Sequence, residues 1–423
     1  MSQNQARTPI SHDTAPPLRR WLRVSAAVLA IAVATGSLCA FFLWSLAETT
    51  RLRFAHPWLL ALLPAGGFLV GWIYHRFGKP VEKGTPLLID EIHQPTAGVP
   101  IRLVPLVLFG TLATHLFGGS AGREGTAVQM GGGVAGAFCR WFRLAPADTP
   151  ILLMAGIAAG FGGVFGTPFA GAVFSIEILA GRRRLLRALP FCLAAAIVAD
   201  RTCAAWGIGH AHYAVHDHPL TPLLIVKIAA AAIAFGLASR FFVALSHALT
   251  AFFRRTIAYP PLRPVAGGLL VILLFLAAGT PDYLGLGVSS PDPHAVTLSS
   301  FFTSAAIHPW SWLWKIAFTS VTLSSGFKGG EVTPLFFIGA ALGNSLSGLL
   351  AAPPDLFAAL GLLAVFAAAA RTPLACILMG IEIFGARHGL PFAGACLLAC
   401  LFNGNAGIYH PRATAGNGNA PSA

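Results

Sequence analysis

Apolar runs separated by short polar segments recur along the whole chain, at 24–46, 57–74, 103–117, 151–180, 189–206, 223–253 and 265–278. A helix needs about 20 residues to cross a hydrocarbon core of about 30 Å, and some of these runs reach that length while others fall short. The pattern predicts an all-α, polytopic membrane protein. The polar segments are too short to hold a soluble domain, so the expected organisation is one membrane unit over 21–410, with an unstructured tail at 1–20 and another at 411–423.

Composition sharpens this picture. Only 10% of residues are charged and 56% are apolar, where soluble domains carry about a quarter charged residues. Mean hydropathy is +0.71. The 46 glycines and 30 prolines are too many for long uninterrupted spans, so tilted, broken or re-entrant helices are expected. Irregular backbone at membrane depth survives only where protein or a wet cavity surrounds it, which points to a transport site.

The net charge of +13 does not indicate nucleic acid. Its basic residues are scattered in short loops such as Arg182-Arg183-Arg184 and Arg254-Arg255, as positive-inside topology requires. Arg19-Arg20 fits the same rule before a first membrane helix at 24–46 that is too long for a signal-peptide core. All seven cysteines sit in or beside apolar runs without CxxC spacing and read as small buried hydrophobes. The His-rich segment 210–218, HAHYAVHDH, admits a metal site or a solvated loop, and the loop is the expectation. No cofactor is expected.

The candidate chemistry lies at 118–136, GGSAGREGTAVQMGGGVAG, which puts Arg123 and Glu124 in a Gly-rich run entering an apolar segment. An ionisable residue there is costly and marks function. The second half answers it: Gly329-Gly330-Glu331-Val332-Thr333-Pro334 stands 207 residues after the first motif, counted from Glu124 to Glu331. Ile176-Glu177-Ile178 and Ile381-Glu382-Ile383 follow Thr167-Pro168 and Thr372-Pro373, with 205 residues between the glutamates. Two markers at nearly one offset imply an internal duplication, with repeats at 24–205 and 222–410. Such halves are often inverted, with the site at midplane where broken helices of both meet.

A Gly-rich stretch opening a helix leaves unpaired amides that favour an anion, or a carboxylate standing in for one. An ionised Glu124 can fill such a pocket, and a protonated one should leave it, linking anion entry to proton uptake. Pairing of Glu124 with Arg123 is expected to be poor, because neighbours on a helix do not face each other. Lys328 is near enough on the chain to pair with Glu331. The Gly-rich run lacks the Lys-Ser/Thr of a phosphate-binding loop. For hydrolysis, His115, Glu177 and Asp200 show no supporting spacing, so an enzyme is not expected.

Gly122-Arg123-Glu124-Gly125, the motif at 329–334 and the late Tyr409 resemble the CLC chloride channel and antiporter family over residues 71–409. The resemblance implies a CLC-like inverted repeat and a homodimer with a separate pore per subunit in the cell membrane. It implies that Glu124 gates the anion path, and that Tyr409 and an early-loop hydroxyl, Thr85, coordinate the anion. With Gly84-Thr85-Pro86 in the early loop, Thr126 in place of the motif proline and Ile178 where an intracellular proton-handling glutamate is expected, the chain looks like the CLC-F subgroup of fluoride/proton antiporters. In that subgroup Glu331, Thr333 and the early-loop residue are distinguishing. The expected anion site is thus Thr85, Gly122, Gly125, Glu331, Thr333 and Tyr409, with chloride transport as the alternative.

Overall fold

Proline and glycine cut the apolar runs into helices of very unequal length. The computed structural model describes residues 17–96, 98–142, 144–179, 183–210, 213–303, 308–405 and 407–409. The first half forms α1 (Pro17–Ala55), α2 (Leu63–Phe77), α3 (Thr85–His93), α4 (Leu103–Leu116), α5 (Glu124–Trp141), α6 (Thr149–Phe165), α7 (Pro168–Glu177) and α8 (Leu189–Ala205). The second forms α9 (Pro222–Thr256), α10 (Leu262–Ala278), α11 (Ser311–Ser324), α12 (Val332–Leu350), α13 (Pro354–Ala370), α14 (Pro373–Phe384) and α15 (Gly389–Asn403). Leaving α3 aside, α9 to α15 repeat α1, α2 and α4 to α8 in order.

The 39 residues of α1 and the 35 of α9 each exceed a perpendicular span and must tilt. At the other extreme, α7 has 10 residues, about 15 Å, and crosses only half a bilayer. The apolar run 151–180 breaks because Gly166 caps α6 in the left-handed conformation at φ +71° and Pro168 starts α7. The expected tail at 1–20 needs correction. Residues 1–16 lie outside the described residues, but Leu18, Arg19 and Arg20 belong to α1, whose first turn is held where the Arg20 guanidinium donates to both Asp148 carboxylate oxygens. The expected tail at 411–423 also lies outside the described residues.

Helices α6 and α13 form the centre and are apolar all round; every residue of α13 from Asp355 to Ala370 is buried. Each packs backbone to backbone on its partner. A Cβ on Gly156 would lie 2.4 Å from the Gly131 carbonyl of α5, and one on Gly361 2.0 Å from the Gly339 carbonyl of α12.

The halves also grip each other reciprocally. Glu177, ending α7, accepts from the Leu374 and Ala375 amides that open α14 at 3.0 and 2.8 Å. Glu382, in α14, accepts from the Phe169 and Ala170 amides that open α7 at the same two distances. Mutual exchange of one contact is what a two-fold relation produces. Glu382→Leu strands two first-turn amides at about 1–3 kcal/mol each. It should lower the melting temperature in detergent by as much as Glu177→Leu, with the ratio of protons to anions moved unchanged. A changed ratio at unchanged stability would give Glu382 a part in transport.

Candidate functional site

The Gly-rich motifs of the two halves meet as one short antiparallel bridge, the isolated β pairing among the described residues. The Gly122 amide donates to the Gly330 carbonyl at 2.6 Å, and the Gly330 amide to the Gly122 carbonyl at 2.8 Å. Both positions demand glycine. A Cβ on Gly122 would sit 2.9 Å from the Gly330 carbonyl, and one on Gly330 2.7 Å from the Gly125 nitrogen. The bridge sets the N-terminal ends of α5 and α12 side by side, where their macrodipoles both favour negative charge.

Glu124, the first residue of α5, is 1% exposed and turns its carboxylate toward α12. It accepts from the Thr333 amide and the Arg123 amide, each at 3.1 Å, and from the Thr333 hydroxyl, which lies 2.6 Å from both carboxylate oxygens. Three donors from two repeats therefore hold one carboxylate as they would hold an anion.

Behind it a polar spine fixes the motif. The two nitrogens of buried His115 bond the Thr111 and Ala121 carbonyls at 2.9 and 3.1 Å. The Thr111 and Thr126 hydroxyls are 2.7 Å apart. Ser120 joins the halves through the Thr322 and Thr319 hydroxyls at 3.1 and 2.9 Å.

Two cavities flank this contact. One, of about 390 Å³, is bordered by Arg51, Arg53, Arg123, Asp282 and Gly287. The other, of about 230 Å³, is lined by Thr85, Gln129, Lys328, Glu331 and Tyr409. Glu124 lines neither. Its neighbour Arg123 faces the first cavity, and Glu331, two residues before Thr333, faces the second. Thr85 reaches the second cavity as the first residue of α3, after Gly84 at φ +62°. Tyr409 is set by the Ile408 amide, which donates to the Ala369 carbonyl ending α13, and by an edge contact with Phe174, ring centroids 6.3 Å apart.

Several expectations change. Gly122 does not offer its amide to an anion, because Gly330 takes it. Gly125 lies under Gly330 in the first turn of α5, where no helical carbonyl precedes its amide. Arg123 does pair with Glu124, its Nε 3.4 Å from the carboxylate, because it caps the helix at φ −116° and so escapes the geometry of helical neighbours. Lys328 does not pair with Glu331; its ammonium lies 4.1 Å from the centroid of the Tyr74 ring.

In the His-rich segment, His216 and His218 each lie 2.9 Å from the Asp355 carboxylate, while Asp217 pairs with Arg387. His212 lies outside the described residues, and among those described no group of three His, Cys, Asp or Glu has metal-binding geometry. Sequence reasoning missed Gln129 and Tyr74, both on the second cavity. Gln129 had a signal, as the one polar side chain between Thr126 and Arg140 in a helix otherwise built of small and apolar residues.

Paired helix ends around a buried carboxylate, with a cavity on either side, define a membrane transport protein for small anions. Residues 66–404 match the family model described as voltage-gated chloride channel. The chain belongs to that family, the CLC channels and transporters. It is 48% identical over 411 residues to a chloride/fluoride channel protein of Pseudomonas syringae pv. tomato, covering 96% of this chain and 88% of the relative. It is 29% identical to a proton/chloride exchange transporter of Vibrio cholerae, over 90% of this chain and 84% of that one. Among solved structures, a CLC-type fluoride/proton antiporter superposes with a TM-score of 0.87 at 33% identity, covering 93% of this chain and 98% of its own.

Proposed function

We propose that this protein exports fluoride across the cell membrane in exchange for protons, with Glu124 as the exchanging group. The observation that carries the reading is the Glu124 carboxylate resting on the Thr333 amide and hydroxyl, donors that would serve a small anion equally well. Ionised, the carboxylate fills the place and closes the path between the cavities. Protonated, it loses most of its attraction to the two helix ends and gives way to an anion.

Fluoride is small and holds its water strongly, so strong donors must replace that water. The hydroxyls of Thr85, Thr333 and Tyr409, all buried, are of that kind. The names of the similar chloride/fluoride channel protein and the fluoride/proton antiporter support fluoride as the cargo.

The same reading includes a homodimer, which membership of the CLC family implies. In proteoliposomes with a fluoride gradient, fluoride measured by electrode should leave while a pH dye reports opposite proton movement. Chloride flux equal to fluoride flux would overturn the selectivity, and fluoride flux without proton movement would overturn the coupling.

A further inference from the structure

Lys328 is half-buried, and among the described residues no carboxylate lies within ion-pair distance of it. Placing an ammonium away from bulk water without a counter-charge is unfavourable. Here it is compensated by the Tyr74 ring face, 4.1 Å away. The base of the side chain packs closely on α4, where a Cβ on Gly110 would lie only 2.8 Å from the Lys328 Cβ.

Its place matters more than its burial. Besides the 230 Å³ cavity with Thr85, Glu331 and Tyr409, Lys328 lines a neighbouring cavity of about 220 Å³, and Tyr74, Glu82 and Lys328 are common to both walls. That neighbour is bordered by the further cations Lys79 and Arg263. Lys79 follows the end of α2 and Arg263 lies in the first turn of α10, and basic residues at helix ends are expected on the cytoplasmic side. An anion entering there passes cations first, then Lys328, then the hydroxyls.

We propose that Lys328 is an anion-capture station at the basic mouth of the inner cavity, drawing small anions in and releasing them to Thr85 and Tyr409. The proposal rests on the anion-transport reading above. The Tyr74 ring holds the ammonium until an anion arrives, and because a ring is a weaker partner than a carboxylate, the anion displaces it without breaking an ion pair. Glu82, exposed and on both cavity walls, opposes capture and keeps the station from becoming a trap.

The test measures initial fluoride flux against fluoride concentration, using full-length protein in liposomes. Lys328→Met should raise the half-saturating concentration about tenfold, with the maximal rate and the proton-to-fluoride ratio kept, and Lys328→Arg should restore it. Glu82→Gln should move it the opposite way. Raising ionic strength with an impermeant salt should shrink every one of these differences.

A Lys328→Met protein with wild-type half-saturation, or one losing only maximal rate, overturns the proposal. If that variant does not fold, Glu82→Gln decides: an unchanged or higher half-saturating concentration overturns it. Absence of fluoride flux in the wild type would sink the transport reading itself, whereas normal wild-type flux with unmoved variants sinks only the station.

Discussion

Glu124→Gln protein reconstituted in liposomes will move no protons against a fluoride gradient. The substitution preserves shape: the remaining side-chain oxygen accepts from the Thr333 and Arg123 amides, and the new amide group can donate to the Thr333 hydroxyl, which lies 2.6 Å from either position. What disappears is the charge and its titration, so the side chain stands permanently where the protonated glutamate would stand. Proton flux should drop more than tenfold, to the leak of empty liposomes, since general acid–base groups contribute factors of about 10² or more. Any remaining fluoride flux should be passive and independent of the proton gradient. A variant that keeps the wild-type proton-to-fluoride ratio would remove Glu124 from the exchange and return it to a structural cap on α12.

Gly330→Ala should be nearly as damaging, for a steric reason. The added Cβ would meet the Gly125 nitrogen at 2.7 Å, the Gly125 Cα at 3.2 Å and the Glu124 nitrogen at 3.4 Å. All three are backbone atoms of the facing motif, so no side chain can turn aside, and the two helix ends must separate. Overpacking of this kind costs about 1–3 kcal/mol. Because the same displacement pulls Thr333 from Glu124, transport should fall by at least about tenfold, a bond to a charged group being worth 1.5–3 kcal/mol. Gly209→Ala is the matched control, as nothing lies within 4 Å of its added Cβ. If Gly330→Ala transports normally and melts with the wild type, the bridge between repeats does not hold the site together.

Much of this was legible before any coordinates. The spacing of Glu124 with Glu331, and of Glu177 with Glu382, marks paired positions, and in the fold both pairs lie where the halves touch. The cost of a carboxylate in an oily chain singled out Glu124. Contacts were less legible. Glu177 and Glu382 read as markers of duplication, yet each caps a helix of the opposite repeat, which local spacing cannot reveal.

Arg123 was misjudged because the helical-neighbour rule needs both residues in the helix, and Arg123 is its cap. Lys328 was expected on Glu331 because they are three residues apart. The chain turns through Gly329 and Gly330 between them and sends the ammonium to Tyr74 in another helix.

Taken alone, the sequence determined the class of the molecule, its duplication and the residue types at its centre, because hydrophobic length, Gly and Pro breaks and buried charge are local properties with large free energies. Only the tertiary structure decided which donors serve which acceptor. The Gly122 amide goes to Gly330 and is lost to an anion, while the Thr333 amide and hydroxyl go to Glu124. Those assignments depend on two helix ends some 200 residues apart meeting at hydrogen-bond distance, a geometry set by the close packing of α5 on α6 and of α12 on α13.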